Sequence, residues 1–387
     1  MVEQEAHMSK STTAFWRPTP QALTKLNGAW CASYSGGKDS TSLVTWIEWL
    51  RRTKQIEVDR PQLVMSDTGV EYDLLQSIAM DMMNILKQSG WICEIVHPSI
   101  HQRLYNRILG VGNIPVHPGF RRMRWCTRAT KIDPMEGWRR QHADGLVLTG
   151  LRLGESTIRD GKLKSKGCGA GGECGMPDPG SNTFAPLIHW RVCQVVDWLT
   201  GAVEGGVRET MSDIYPATFR LVDIYNLNVS SQSILGDFGD KDVTMSRFGC
   251  IGCPAIEASA IAPKSVVRLY GANHPIGELY DLWFQARRRK NRCFRFKGHQ
   301  GKLCGYGPIK MVFRKVLFER VIDIQARSGI VLLRPEDVQF IQQCWRDKIY
   351  PRGWSEADEY VQPPELPFFR GDEVMTNTEE EIEDMLS

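Results

Sequence analysis

Residues 29–40 read Ala29-Trp30-Cys31-Ala32-Ser33-Tyr34-Ser35-Gly36-Gly37-Lys38-Asp39-Ser40. The first six form a short apolar run, read as a buried strand that ends at a pair of glycines. Beyond the glycines, Leu43, Val44, Ile47 and Leu50 recur on one face at helical spacing. Two glycines let the chain fold tightly, so that successive amides and the positive end of the following helix face an anion, and Lys38 adds a full charge. Ser35, Gly36, Gly37, Lys38, Asp39 and Ser40 therefore read as a phosphate cradle, with an ordinary helix-capping turn as the plainer alternative. This is not the P-loop of kinases and GTPases, which has four residues between its glycines and a Ser or Thr directly after the Lys; here Asp39 follows.

Outward from that loop, strands alternate with helices. Gln62 to Ser66, Trp91 to Val96 and Gly145 to Thr149 read as further strands, Tyr72 to Gln88 as a helix, and residues 124–142 as helical around Pro134. The alternation predicts an α/β fold with a doubly wound parallel sheet, whose ligands sit at the carboxyl ends of the strands. After residue 160 the pattern fades into a glycine-rich segment, Gly167 to Gly180, and Trp190 to Leu199 resumes as a short amphipathic helix. Residues 205–370, with helices over Met311 to Ser328 and Glu336 to Asp347, read as a smaller, mostly helical region containing cysteines. The expected organisation is an N-terminal extension (1–27), a nucleotide domain (28–204), the helical region (205–370) and an acidic tail (371–387).

The chain has 387 residues, 42% of them hydrophobic and 24% charged, which is ordinary globular usage and excludes fibrous or wholly disordered classes. No stretch approaches the ~18 uninterrupted apolar residues of a membrane helix. Met1 to Ser11 is polar, unlike a secretory signal, so no membrane partner and a cytoplasmic location are expected. The net charge of +3 hides an asymmetry: residues 371–387 carry acids and no Lys or Arg, which leaves a basic body suited to an anionic partner.

Eleven cysteines in a reducing compartment are better read as ligands or sulfur chemistry than as staples. Cys168 and Cys174 lie in the glycine-rich segment, and Cys250-Ile251-Gly252-Cys253 makes a CxxC turn. These four suit a structural Zn²⁺ or a 4Fe–4S cluster, between which spacing does not decide. Cys126, Cys293, Cys304 or His274 could replace one ligand; a redox or persulfide-carrying pair and buried thiols are the metal-free alternatives. Arg287, Arg288, Arg289, Lys290, Arg292, Arg295 and Lys297 are interleaved with Phe294 and Phe296, a composition suited to phosphates and bases. Arg121, Arg122, Arg124 and Arg128 form a second basic group near the expected site.

The Ser35–Ser40 sequence resembles the SGGxDS signature of the N-type ATP pyrophosphatases, or adenine nucleotide α-hydrolases. Ser66-Asp67-Thr68-Gly69, Trp125-Cys126-Thr127 with Lys131 and Pro134, Gly150-Leu151-Arg152 with Glu155-Ser156 and Arg159, and Ala185-Pro186-Leu187 with Trp190 are similar, in order, to segments of its phosphoadenylyl-sulfate reductase-like branch. The resemblance covers roughly residues 28–200. It implies a HUP-like fold and an ATP pyrophosphatase whose loop holds the pyrophosphate of ATP and leaves the α-phosphate open. Lys38, Arg152 and Arg159 would stabilise charge, Asp39 would help hold Mg²⁺, and Asp67 and Gly150 would line the nucleotide pocket.

The reductases of this branch carry a C-terminal nucleophilic cysteine or a Cys-Cys pair. Here the last cysteine is Cys344, in Gln343-Cys344-Trp345, and Trp125-Cys126 replaces the pair. The loop, the cysteines and the basic run together most resemble the ATP-pyrophosphatase subunit of bacterial DNA phosphorothioation systems, the DndC/SspD type. That implies adenylation of a DNA backbone phosphate, sulfur from a partner cysteine desulfurase, further subunits of a DNA modification complex and a role in phage defence. A phosphoadenylyl-sulfate reductase-like oxidoreductase and a tRNA-thiolating adenylating enzyme are the alternatives.

Overall fold

The computed structural model describes residues 30–115, 125–142, 145–153, 183–203, 206–228, 250–254, 264–295 and 306–361. Five strands, β1 (Trp30–Tyr34), β2 (Gln62–Ser66), β3 (Ile92–Val96), β4 (Leu146–Leu148) and β5 (Thr183–Phe184), form a parallel sheet in the order β3-β2-β1-β4-β5. In register, Trp30 faces Leu146 and Ala32 faces Leu148, while Val147 faces Thr183. The chain moves outward from β1 to β3 and then returns to the other side of β1 at β4. Strand order therefore reverses between β1 and β4, the position at which open parallel sheets bind ligands. The fold is α/β as the alternation predicts. β5 was not among the expected strands, because two residues carry no readable period.

The helices are α1 (Lys38–Arg52), α2 (Asp73–Gln88), α3 (Asp133–Gln141), α4 (Val192–Thr200), α5 (Tyr215–Asn228), α6 (Lys264–Tyr270), α7 (Glu278–Ala286), α8 (Met311–Ser328) and α9 (Pro335–Arg346), with shorter turns between them. β6 (Arg292–Phe294) and β7 (Tyr306–Ile309) make a separate antiparallel pair. Before α3, Trp125–Thr127 and Arg128–Ile132 supply an α turn and a π turn, so the helix expected over 124–142 is present with one wide turn in it.

The chain divides into two compact units: Met1–Leu63, Asp81–Ile92 and Gly145–Val222 form one, and Val64–Met80, Cys93–Asp144 and Asp223–Ser387 the other. They interleave along the sequence, where the sequence reading places one boundary after residue 204.

In the first unit α1 is buried along its whole middle, from Ser40 to Leu50. Trp46 packs on Trp190 with ring centroids 5.5 Å apart, Trp49 on Trp198 at 5.7 Å, and the Trp198 indole N–H donates to Thr45 Oγ1 at 2.8 Å. Glu48, fully buried on α1, accepts hydrogen bonds from Arg51, Arg52 and the Trp91 indole N–H. A helix clamped on every side holds its N-terminus in one place. In the second unit α7 and α8 pack over a core that includes Tyr105, Ile251, Trp283, Leu317 and Ile341, and α9 packs on a π-helix, Asn106–Val111.

Candidate nucleotide site and its surroundings

The loop between β1 and α1 is braced by its own serines. The Ser35 amide donates to Ser40 Oγ at 3.2 Å, and the Ser40 hydroxyl donates to the Gly37 carbonyl at 3.1 Å. Gly36 takes φ +68°, a left-handed conformation that explains a glycine at that position. Gly37 is the N-cap, and no side chain caps the first turn of the fifteen-residue α1. An uncapped, rigidly held helix N-terminus directs amide hydrogens and the positive end of the helix dipole to one spot.

Two cations converge there on one carboxylate. Lys38 Nζ lies 2.9 Å from Asp39 Oδ2, and Arg152 Nε lies 2.5 Å from Asp39 Oδ1. Arg152 is only 3% exposed and also donates to the Trp190 carbonyl at 3.2 Å, so the guanidinium is fixed by the segment before α4 as well as by α1. Burial alone would raise the Asp39 carboxyl; Lys38 and Arg152, by charge and hydrogen bond, outweigh it and hold it below the ordinary carboxylate value. Gly150 makes the approach possible: a Cβ there would lie 2.8 Å from the Asp39 carbonyl group and 2.9 Å from the Ser40 amide. The loops after β1 and β4 are therefore packed backbone to backbone.

Lys38, Asp39, Gly150 and Arg152 are brought together as the sequence reading requires. Asp39, however, does not fit a resident Mg²⁺, because each of its oxygens already faces a cation. Its geometry is that of a group that positions Lys38 and Arg152.

Asp67, at the carboxyl end of β2, belongs to the second unit. Its Oδ1 accepts the Gly69 amide at 2.8 Å, an Asx turn that carries Gly69 at φ +74°. It also lines a cavity of about 330 Å³ with Arg103, Asn106, Leu332 and Arg334, and its Oδ2 lies 3.3 Å from His97 Nδ1. His97, directly after β3, follows the same rule that singles out Asp67 and was missed. Asn106 and Arg334 gave no sequence signal, being brought to Asp67 only by tertiary packing.

The CxxC turn is held by the second unit's core: the Ile251 amide donates to the Val70 carbonyl at 2.7 Å, Tyr105 Oη donates to the Ile251 carbonyl at 3.1 Å, and the Trp283 indole N–H donates to the Gly252 carbonyl at 2.7 Å. Burial pushes the Cys250 thiol well above its ordinary value, and Cys253, Glu71 and Cys126 nearby push it further. A neutral, buried thiol is a poor nucleophile. Among the described residues no three metal-donor side chains converge. Cys250 and Cys253 supply two of the four expected ligands, while Cys168 and Cys174 lie outside the described residues, as do Arg121, Arg122, Arg124, Arg159, Lys297 and the segments 1–27 and 371–387.

Among its described residues, 287–295, the basic run does not present one continuous face. Arg287, 8% exposed, donates to the carbonyls of Pro254 and Pro115. Arg292 Nε donates to the Gly307 carbonyl at 2.5 Å, and Arg295 makes a bidentate pair with Asp358 at 2.5 and 2.6 Å while stacking over Trp354. Arg289 lies over the Tyr306 ring at 5.2 Å. Arg287, Arg292 and Arg295, expected to meet nucleic acid, each have partners within the protein; Arg288 is half-buried and Lys290 is exposed. These cations tie the α7–β6 segment to its surroundings, a use that composition does not reveal.

No protein-family model matches the chain, and no curated protein matches it. No helix among the described residues is long and apolar enough to cross a membrane.

Proposed function

We propose that the protein is an ATP pyrophosphatase with a HUP-like nucleotide domain, which transfers an adenylyl group to an acceptor and releases pyrophosphate. The observation that carries this reading is the Lys38–Asp39–Arg152 assembly at the uncapped N-terminus of α1, closed by Gly150. It is a compact, positive, backbone-lined seat suited to the β- and γ-phosphates of ATP. An acceptor oxygen attacks the α-phosphorus, a new P–O bond forms, and the bond to the β-bridging oxygen breaks, its electron pair leaving with pyrophosphate. The protein contributes position and charge: the amides of α1, Lys38 and Arg152 stabilise negative charge on the leaving group. Arg159 joins them on the resemblance alone.

The acceptor proposed is a DNA backbone phosphate, with sulfur supplied afterwards by a cysteine desulfurase, so that the reaction serves DNA phosphorothioation and phage defence. What supports this acceptor is the resemblance carried together by the Ser35–Ser40 loop, the cysteines and the basic run. The test adds duplex DNA, tRNA or phosphoadenylyl sulfate in parallel to the protein with Mg·ATP. Stimulation of pyrophosphate release by DNA is the expected result. Stimulation by tRNA alone moves the protein to tRNA thiolation, and sulfite from phosphoadenylyl sulfate without ATP cleavage makes it a reductase.

A further inference from the structure

Arg287, Arg292 and Arg295 donate to partners within the protein; Arg107, also in the second unit, is placed differently. It is the second residue of the π-helix Asn106–Val111, against which α9 packs, and it is half-buried. Among the described residues its guanidinium makes one contact: Cζ lies 4.3 Å from the centroid of the Trp125 ring. No carboxylate stands beside it, so burial acts alone and lowers its pKa. Taking a cation out of water without an anion is unfavourable, and an aromatic face offsets only part of the cost. A guanidinium held in this way is suited to an anion from outside the chain.

The surroundings narrow the class of anion. Trp125 packs against the core of the second unit, so the indole fixes the plane of the guanidinium. Stacking covers a face of that plane, while the N–H groups lie in it and are left without acceptors among the described residues; this planar fork takes two oxygens of one phosphate. Further along the turn that Trp125 opens, Arg128 and Lys131 are exposed. Arg128 Nε lies 3.1 Å from Asp133 Oδ1, but with its side chain 73% exposed this pair is solvated and weak. Three cations on adjoining segments of one unit suit a row of phosphates better than a single small anion. We propose that the Arg107–Trp125 stack, flanked by Arg128 and Lys131, receives the phosphodiester backbone of a nucleic acid. That this polymer is the acceptor rests on the adenylation reading above; the binding site itself does not.

The test needs no ATP turnover. Fluorescence anisotropy follows binding of a short labelled DNA duplex to the full chain between about 50 and 200 mM salt, with tRNA and polyglutamate in parallel. Arg107→Ala should weaken DNA binding about tenfold, the loss of one charge-assisted contact, and reduce the salt slope by about one. Its melting temperature should stay within about 3 °C of the parent, since no ion pair is broken. Arg107→Lys should restore the slope but only part of the affinity, because an ammonium supplies the charge without the fork. Arg128→Ala, an exposed change, should lower the slope independently. DNA affinity and slope unchanged in Arg107→Ala overturn the proposal, as does failure of the parent to bind either nucleic acid. Binding of polyglutamate alone would assign the stack to an acidic protein and overturn it equally. Binding of tRNA in place of DNA, lost in Arg107→Ala, supports the site and changes the acceptor. Arg107-dependent DNA binding by a protein that releases no pyrophosphate would leave this site standing and remove the adenylation reading alone.

Discussion

Asp39 is the residue on which the proposed nucleotide seat turns. Its carboxylate holds Lys38 and Arg152 in fixed positions, and its lowered pKa keeps it ionised at any physiological pH. Lys38→Ala or Arg152→Ala should reduce pyrophosphate release by about 10²–10³-fold, the usual loss when one preorganised charge-stabilising contact is removed. Arg152→Lys should restore little, because Nε and Nη1 serve different partners, Asp39 and Trp190, and an ammonium reproduces only one such direction; steady-state kinetics on the three variants checks both statements. Glu48 gives a stability prediction. Burial raises its carboxyl, yet the hydrogen bonds from Arg51, Trp91 and Arg52 prevail and hold it below the ordinary value of 4.5. A depressed folded-state pKa contributes stability that is fully present well above pH 4.5 and disappears as pH falls through the lowered value. Glu48→Gln should therefore lose about 3–5 kcal/mol in urea unfolding at pH 7, and its difference from the parent should shrink toward acid pH. A difference that stays constant from pH 7 into acid would refute the linkage.

At the scale of elements, the packed loops after β1 and β4 make one prediction and α7–β6 another. Gly150→Ala introduces a methyl at 2.8 Å from the backbone of Asp39, with no flexible side chain to give way. The expected cost is about 1–3 kcal/mol together with weakened ATP binding, read by thermal melts and by nucleotide titration. Arg287→Ala should lower stability by about 2 kcal/mol through two orphaned carbonyls, while leaving the salt dependence of any DNA binding unchanged; a flatter salt slope at unchanged stability would return Arg287 to the nucleic-acid role. Legibility in the sequence divides along the same line. β1, β2, the α1 loop and α8 were readable because period and turn residues are local, and Gly150 with Arg152 was singled out only by the resemblance of that segment to a known family. The inward turn of Arg287 and Arg295 was not, since a run of cations looks alike whether it faces solvent, carbonyls or Asp358. Nor was the meeting of Asn106, Asp67 and Arg334, whose proximity depends on how α9 packs on the π-helix and not on any local pattern.

On the scale of the molecule, a parallel sheet with its strand order reversing between β1 and β4 precedes the Ser35–Ser40 loop, the proposed phosphate seat, in one unit, and the second unit contains a cavity lined by the loops after β2 and β3. The chain weaves between these units rather than completing one before the other, so a truncation at residue 204 would leave each without segments it needs. The 28–204 fragment should be insoluble or molten by near-ultraviolet circular dichroism, and a cooperatively folded fragment would contradict the interleaving. The most direct measurement on the central proposal is the identity of the products formed from Mg·ATP, resolved by anion-exchange chromatography for the parent and Lys38→Ala proteins with duplex DNA present. Cleavage between the α- and β-phosphates, giving pyrophosphate and an adenylyl product that disappear in Lys38→Ala, is the expected outcome. ADP with inorganic phosphate, or pyrophosphate release undiminished in Lys38→Ala, would contradict the assignment of the Ser35–Ser40 loop.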